Sequence, residues 1–206
     1  MTTIPIVADL SPEQRRTLAS DKLDQFFQTV PPELQHRVTS LPKRIGQMNA
    51  RISLKLQEIL RTADEIFAHA GQYAACARGC GHCCHVHVPI ADFEAQYIAD
   101  HVGVRPVALQ RSVPHNRMEY SGATPCPFLD NGECSIYEAR PLTCRMHLNF
   151  DVDAYWCLHE NWNKPDAAIP RPDITPLMEA YHALAGKARP VVADIRDFFP
   201  HGKTSK

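Results

Sequence analysis

Cysteine is the residue type that dominates the chemistry available to this chain. All eight cysteines lie between Cys76 and Cys157, and the segments on either side contain none. Thiolates bind zinc and iron–sulfur clusters, and four of them are enough to close one site. This concentration of thiols therefore predicts a metal centre in the middle of the chain.

The spacing of the thiols is typical of a site that distant parts of the chain complete. The stretch CARGCGHCC contains the first four, Cys76, Cys80, Cys83 and Cys84. The other four occur singly, at Cys126, Cys134, Cys144 and Cys157. The two-residue gap between Cys80 and Cys83 lets a tight turn present both sulfurs to one ion, and the neighbouring glycines give the backbone the necessary freedom. Metal binding at such a site contributes directly to folding.

All eight thiols are candidate ligands, and they suffice for two four-thiolate sites or for one site with spare thiols. We expect the inner six to supply most of the ligands: Cys80, Cys83, Cys84, Cys126, Cys134 and Cys144. If any thiols are spare, we expect them to be the outermost two, Cys76 and Cys157, since a buried free cysteine is common and inert.

The choice of metal rests on weaker signals. Domains that bind two zinc ions usually contain several pairs of cysteines separated by two residues, called zinc knuckles. Here only the segment from Cys76 to Cys84 contains such a pair. The Cys126-Pro127 step is typical of ferredoxin motifs. We therefore favour an iron–sulfur cluster over zinc. If an imidazole replaces one thiolate, we expect it to be His85 or His147, which lie beside cysteines in the sequence.

Two arginines bracket one of the single cysteines. Arg140 and Arg145 flank Cys144, and guanidinium groups there would offset the negative charge of a metal–thiolate centre and donate hydrogen bonds to sulfur. They are our candidates for residues that stabilise the cofactor by contacting its ligands rather than the metal itself. The alternative is that both arginines pair with carboxylates such as Glu138 or Asp151.

Several cysteine motifs together resemble a known family. These are Cys80-x-x-Cys83-Cys84, PCPFL at residues 125–129 and CSIYEARPLTCR at residues 134–145. In this order they look like the YkgJ-type cysteine-cluster family, also called the CxxCxxCC domain, over roughly residues 76–160. The resemblance implies a zinc- or iron-chelating domain. The gap from Cys76 to Cys80 is three residues where the family name has two.

Two enzymatic interpretations compete with this one. A flagellin lysine N-methylase is related to the family and would imply protein-modifying chemistry, but the sequence has no glycine-rich loop for S-adenosylmethionine. The spacing of Cys76, Cys80 and Cys83 also matches the three-cysteine signature of radical SAM enzymes. Those enzymes place the signature after a strand, whereas a predicted helix precedes it here, and Cys84 adds a fourth thiol.

The elements that must position the thiols are mainly helical. Ser11-Pro12-Glu13-Gln14 has the elements of a capping box and predicts a helix that ends before Pro31-Pro32. Apolar residues at steps of three or four predict a long helix from about Lys43 to Tyr73. A shorter helix is predicted over Asp92–Val102, terminated by Gly103.

The remaining elements follow from turn and capping signals. Asn131-Gly132 predicts a two-residue hairpin turn that brings the flanks holding Cys126 and Cys134 together. A C-terminal helix is predicted from Thr175 to Phe199, kinked or divided at Pro190.

The expected fold is therefore mainly α, with helices flanking an irregular cysteine-rich metal-binding centre that contains a short β-hairpin. We divide the chain into an N-terminal helical segment (1–73), a cysteine-cluster metal-binding domain (74–165), and a C-terminal helix and tail (166–206).

Composition narrows the compartment and the partners. The formal net charge of −1 gives no reason to expect nucleic acid or anionic lipid as a partner. No apolar run approaches the roughly 18 residues of a membrane helix, and the N-terminus shows no secretory signal. We therefore expect a cytoplasmic protein, in which the eight cysteines serve metal or redox chemistry rather than disulfides.

Function is expected to follow from the metal centre. The first hypothesis is a binding, chelating or structural module without turnover, and the alternative is an iron–sulfur enzyme with redox or group-transfer chemistry. A redox-sensing thiol switch is a third hypothesis. The sequence identifies no catalytic residue and no substrate. Its predicted partner is a metal ion or cluster, and it leaves a protein partner open.

Overall fold

The computed structural model describes residues 6, 10–77, 79–116, 124–161, 164, 170–186 and 189–202. Three helices precede the cysteines: α1 (Pro12–Thr29), α2 (Pro32–Gln47) and α3 (Ile52–Ala70). The later helices of the described residues are α4 (Asp92–Val102), α5 (Leu142–Arg145), α6 (Thr175–Ala185) and α7 (Ile195–Phe198). The strands are β1 (Pro89–Ala91), β2 (Leu129–Asp130), β3 (Glu133–Cys134) and β4 (Val192–Asp194). The fold is mainly α around an irregular cysteine-rich centre, as predicted.

Helix α1 starts as the sequence predicts and then ties itself to the cysteine-rich centre. The Ser11 hydroxyl accepts a hydrogen bond from the Gln14 amide, and the Gln14 side chain accepts one from the Ser11 amide, which completes the capping box. One turn later the buried Arg15 guanidinium donates to Asp151 at 3.1 Å and to Asp153 at 2.8 Å. This buried ion pair anchors α1 on the loop that leads to Cys157.

The prediction of one helix from Lys43 to Tyr73 was wrong. Residues 43–47 end α2, the chain is extended at Met48 and Arg51, and α3 begins only at Ile52. The apolar periodicity continues across the break, although Met48 and Ile52 are 37 % and 38 % exposed. The break lets the two helices fold back on each other and bury their apolar stripes in a shared core.

The C-terminal prediction was also wrong beyond Ala185. Helix α6 begins at Thr175 as expected, but residues 192–194 form strand β4 and only Ile195–Phe198 return to helix. Strand β4 pairs antiparallel with β1, with Pro89 opposite Asp194. Proline lacks the N–H that helix and ladder bonds need, so Pro190 separates α6 from the strand. The C-terminal segment is thereby brought beside the residues that follow Cys84.

Two other local predictions are confirmed. Helix α4 covers Asp92–Val102 and ends at Gly103, which is left-handed at φ 72°. Strands β2 and β3 form the predicted hairpin, with Asn131 at φ 49° and Gly132 at φ 82° in its turn. These elements are specified by short-range signals, which explains why they could be predicted.

The flanking helices pack into the centre rather than apart from it. One core joins α2, α3 and α6 with Leu142 of helix α5. A second core joins Ile195, Phe198 and Phe199 of the C-terminal segment with Cys84 and other residues of the centre. The segment division at 73/74 and 165/166 stays a prediction. No described helix has both the length and the apolar character needed to cross a bilayer.

Candidate metal centre

The first four thiols are presented by a loop and a short 3₁₀ helix. After α3 the chain is pinned by a hydrogen bond from the Ala75 amide to the Asn149 carbonyl at 2.8 Å. Cys83 and Cys84 then lie in the 3₁₀ helix His82–His85, which the Cys84 amide closes by donating to the Gly81 carbonyl at 3.0 Å. This segment places all four thiols near the end of α3.

The hairpin brings the next two thiols against this segment. The Cys126 amide donates to the Cys84 carbonyl at 2.7 Å, and the Leu129 amide donates to the Cys126 carbonyl at 2.9 Å. Leu129 pairs with Cys134 across the two strands. The predicted approach of Cys126 and Cys134 is therefore made by backbone hydrogen bonds.

Helix α5 holds Cys144 through a buried carboxylate. The Leu142 amide at the start of this helix donates to Glu94 Oε1 at 2.9 Å, and the Tyr181 hydroxyl donates to Glu94 Oε2 at 2.6 Å. Burial raises the pKa of Glu94, and these hydrogen bonds oppose that shift. Glu94 thus joins α4, α5 and α6 at the base of the thiol cluster.

The eight cysteines converge in the folded chain. Seven of them line one cavity of about 70 Å³: Cys76, Cys80, Cys83, Cys84, Cys134, Cys144 and Cys157. Cys126 is buried directly beside Cys84 in the adjoining core. The structure describes all eight, and none of them forms a disulfide. His82 and His147 also line this cavity.

The thiols are gathered but not yet at coordinating distances from a common point. Among the described residues, no group of three or more His, Cys, Asp or Glu side chains is placed so that it could hold one metal ion. Binding of a metal ion would therefore require these side chains to move closer together, in line with the coupling of metal binding to local ordering.

Burial keeps most of the thiols protonated in the absence of a metal. It raises the pKa of Cys76, Cys126 and Cys157 to about 12 in each case. Cys83 differs, because a hydrogen bond with the Cys84 side chain lowers its pKa against the effect of burial, and the Arg140 charge lowers it further. Cys83 is therefore better prepared to ionise than these three thiols.

The two arginines that bracket Cys144 occupy different places. Arg140 lines the cavity, its side chain is 9 % exposed, and its guanidinium stacks between the rings of Phe67 and Tyr137 at 4.3 and 4.0 Å. Arg145 instead donates to the carbonyls of Arg140 and Glu138 and pairs with Asp64. Arg140 also pairs with Asp64, at 3.6 Å. Both arginines thus have a carboxylate partner, Arg145 in addition holds the backbone of the turn, and Arg140 lines the thiol cavity.

The surroundings of the Arg140 side chain test whether a metal–thiolate centre fits this cavity. Its Nε is buried, and among the described residues it has no hydrogen-bond acceptor. A buried donor without a partner costs about 1–3 kcal/mol, and more when the group is charged. A metal held by thiolates is an anionic acceptor at the same cavity, so the donor set and the arginine both fit it.

Two side chains that support the site were not found from the sequence. Asn149 donates from its backbone amide to Cys76 Sγ and from its side chain to Cys157 Sγ, both at 3.3 Å. Arg196 donates to the carbonyls of Cys84, at 3.1 Å, and of Thr124, at 3.0 Å. Neither carries a local signal, because each acts on a thiol segment that folding brings to it.

The last turn of the described chain also contacts the site. Gly202 is buried against Pro127, the residue after Cys126, and has φ +59°. A Cβ atom at this position would collide with the Pro127 carbonyl. The turn that contains Gly202 is thus packed directly against a predicted ligand segment.

The fold and the site define a thiol-rich centre that is packed between helices. Residues 75–163 match the model of the CxxCxxCC family, which is described as "Putative zinc- or iron-chelating domain". This match confirms the resemblance found in the cysteine motifs and supports a bound metal as the cofactor. Searches of curated proteins and of solved structures found no match to the chain.

Proposed function

We propose that the protein is a metal-binding module whose thiolates hold an iron–sulfur cluster or zinc, and that it serves a chelating, storage or structural role. The eight cysteines are the proposed ligands. Reduced thiols persist in the cytosol, so we also propose a cytoplasmic location. The match to a chelating family supports the general class of this function.

The proposal rests on one observation, a small cavity that is lined by seven thiols and Arg140. Its volume is about 70 Å³, whereas pockets for organic ligands usually measure about 300–1,000 Å³. A cavity of this size suits an ion or a compact inorganic centre whose ligands all come from the protein. Closed sites of this kind are typical of structural and storage metals.

The chain's own residues account for the properties such a centre needs. Arg140 offsets negative charge at the cavity, and the two Asn149 N–H groups donate to Cys76 and Cys157 sulfurs. Hydrogen bonds of this kind fix ligand orientation and stabilise the thiolate form. When bound, the metal would supply cross-links between segments that are distant in sequence.

Metal titration of the reduced, metal-free chain tests this proposal. We expect wild type to bind Zn²⁺, or iron with sulfide, and its Tm to rise on binding. The C80S/C83S variant should lose at least half of this binding, whereas S53A, at an exposed position on α3, should retain all of it. Equal metal binding by wild type and C80S/C83S would contradict the proposal.

A second candidate function is an iron–sulfur enzyme with redox or group-transfer chemistry. The observation that favours it is a surface groove of about 710 Å³ that shares Cys134 and Tyr137 with the thiol cavity. A centre with an open coordination position there could meet a substrate. Electron paramagnetic resonance of the reduced iron-loaded protein tests this: a spectrum that changes on adding an external thiol or cyanide supports it, and an unchanged spectrum contradicts it.

A further inference from the structure

Packing separates four of the thiols from the other four. Cys84, Cys126, Cys134 and Cys144 all pack in the hydrophobic core that contains Phe128, Ile136 and Phe199. The remaining four, Cys76, Cys80, Cys83 and Cys157, belong to none of the three cores found among the described residues. In the first set Cys84 and Cys126 are therefore buried in the core, with Cys134 and Cys144 packed against it, and the second set lies across the shared cavity at the margin of the core.

Hydrogen bonds join members within each set. Asn149 bridges Cys76 and Cys157, with one N–H 3.3 Å from each sulfur. On the other side, the Cys126 amide donates to the Cys84 carbonyl at 2.7 Å, and the hairpin pairs Leu129 with Cys134. The thiol neighbours of Cys157 are Cys76, Cys80 and Cys83, all of its own set, whereas Cys144 has Cys126 and Cys134 of its own set and also Cys83 of the other.

The boundary between the sets falls between two adjacent residues. Cys83 and Cys84 both lie in the 3₁₀ helix His82–His85. With about three residues per turn, adjacent side chains leave such a helix roughly 120° apart. The two neighbouring thiols can therefore point into different sites that touch each other at the Cys83–Cys84 contact.

We propose that the chain holds two adjacent four-thiolate metal sites: a marginal site of Cys76, Cys80, Cys83 and Cys157, and a core site of Cys84, Cys126, Cys134 and Cys144. This proposal rests on the metal-binding function proposed above and specifies its stoichiometry and ligand sets. It also assigns Cys76 and Cys157 as ligands, although the sequence made these two the candidates for spare thiols.

Each proposed site has an arginine of its own. Arg140 faces the cavity at the marginal site, where its buried Nε has no acceptor among the described residues. Arg196 reaches the core site from behind and holds the Cys84 carbonyl together with the Thr124 and Pro125 carbonyls that precede Cys126. Each guanidinium also pairs with a carboxylate, Arg140 with Asp64 at 3.6 Å and Arg196 with the buried Asp194 at 2.9 Å, so its charge is shared with that partner as well as with the thiolates.

The two sites should differ in how readily they lose metal. All four thiols of the marginal site are partly exposed, as are Cys134 and Cys144 of the core site, whereas Cys84 and Cys126 of the core site are buried. The two buried ligands should slow the release of metal from the core site. We assign the core site to a structural role and the marginal site to exchangeable metal.

Counting metal centres in the full chain tests the proposal. Wild type, loaded with Zn²⁺ under reducing conditions, should bind two ions by metal analysis and native mass spectrometry. The C76S/C157S variant should retain half of the wild-type metal and lose the fraction that a chromogenic chelator removes first. The C126S/C134S variant should lose the slowly removed fraction.

The outcomes separate the two proposals. One ion per wild-type chain, or loss of both ions in C76S/C157S, overturns the two-site arrangement but leaves metal binding intact. No bound metal overturns both proposals. If C126S/C134S fails to fold, chelator kinetics on wild type still decide, because two sites predict two equal phases and a single phase contradicts them.

Discussion

Asn149 offers the sharpest perturbation of the site that leaves every thiol in place. Its side chain makes three hydrogen bonds: it donates to the Asp153 carbonyl at 2.9 Å and to Cys157 Sγ at 3.3 Å, and it accepts from the Asp151 amide at 2.9 Å. Asn149→Ala removes all three. At about 1 kcal/mol for each bond, the variant should lose about 3 kcal/mol of metal-free stability.

The same substitution should weaken metal binding at one site only. The side-chain N–H to Cys157 is lost, whereas the backbone N–H to Cys76 remains. Loss of a hydrogen bond to a ligand typically lowers metal affinity about 10–100-fold. Urea unfolding measures the first effect, and competitive titration against a chelator of known affinity measures the second.

Asn161→Ala is the matched control for this experiment. Asn161 is also buried, but its side chain donates to the Tyr155 carbonyl at 2.6 Å. The control should lose about 1 kcal/mol and keep wild-type metal affinity. If Asn149→Ala binds metal as tightly as wild type, the assignment of Asn149 to the metal site is refuted.

Three further substitutions test how the fold supports the site. Arg15→Met breaks a buried ion pair and should lower the free energy of unfolding in urea by about 3–5 kcal/mol. Arg61→Ala, at a 56 % exposed side chain, should lower it by less than about 1 kcal/mol. Equal losses of stability in the two variants would contradict this. Gly202→Ala should lower Tm more than Gly103→Ala, because both have positive φ but only Gly202 has a backbone neighbour in the way; equal shifts would show that the contact is unimportant. Burial raises the pKa of Glu94 in the folded chain, so its contribution to stability is present below pH 4.5 and is lost as pH rises through the folded-state pKa. Wild type should therefore lose stability relative to Glu94→Gln as pH rises. A difference in urea unfolding that does not change with pH would contradict the raised pKa.

Local signals explain what could be predicted from the sequence. The capping box at Ser11, the left-handed Gly103 and the Asn131-Gly132 turn each depend on neighbouring residues alone. The metal site was predicted from the number and type of the thiols, whose chemistry does not depend on the fold. The family match over residues 75–163 rests on the same motifs.

Long-range contacts explain which features could not be predicted from the sequence. The break between α2 and α3 carries no signal of its own, because the apolar periodicity runs through Met48 and Ile52. The pairing of β1 with β4 joins residues about a hundred positions apart. Arg196 and Asn149 reach the site only after folding, and the same is true of the division of the thiols between core and margin.

The composition of the protein, purified without oxygen, decides whether the thiol cluster holds metal. Metal and acid-labile sulfide should be measured together with the visible absorption spectrum. We expect either brown protein with iron and sulfide in equal amounts, or colourless protein with zinc bound by the thiols. A protein that contains neither metal and still unfolds cooperatively would contradict this expectation.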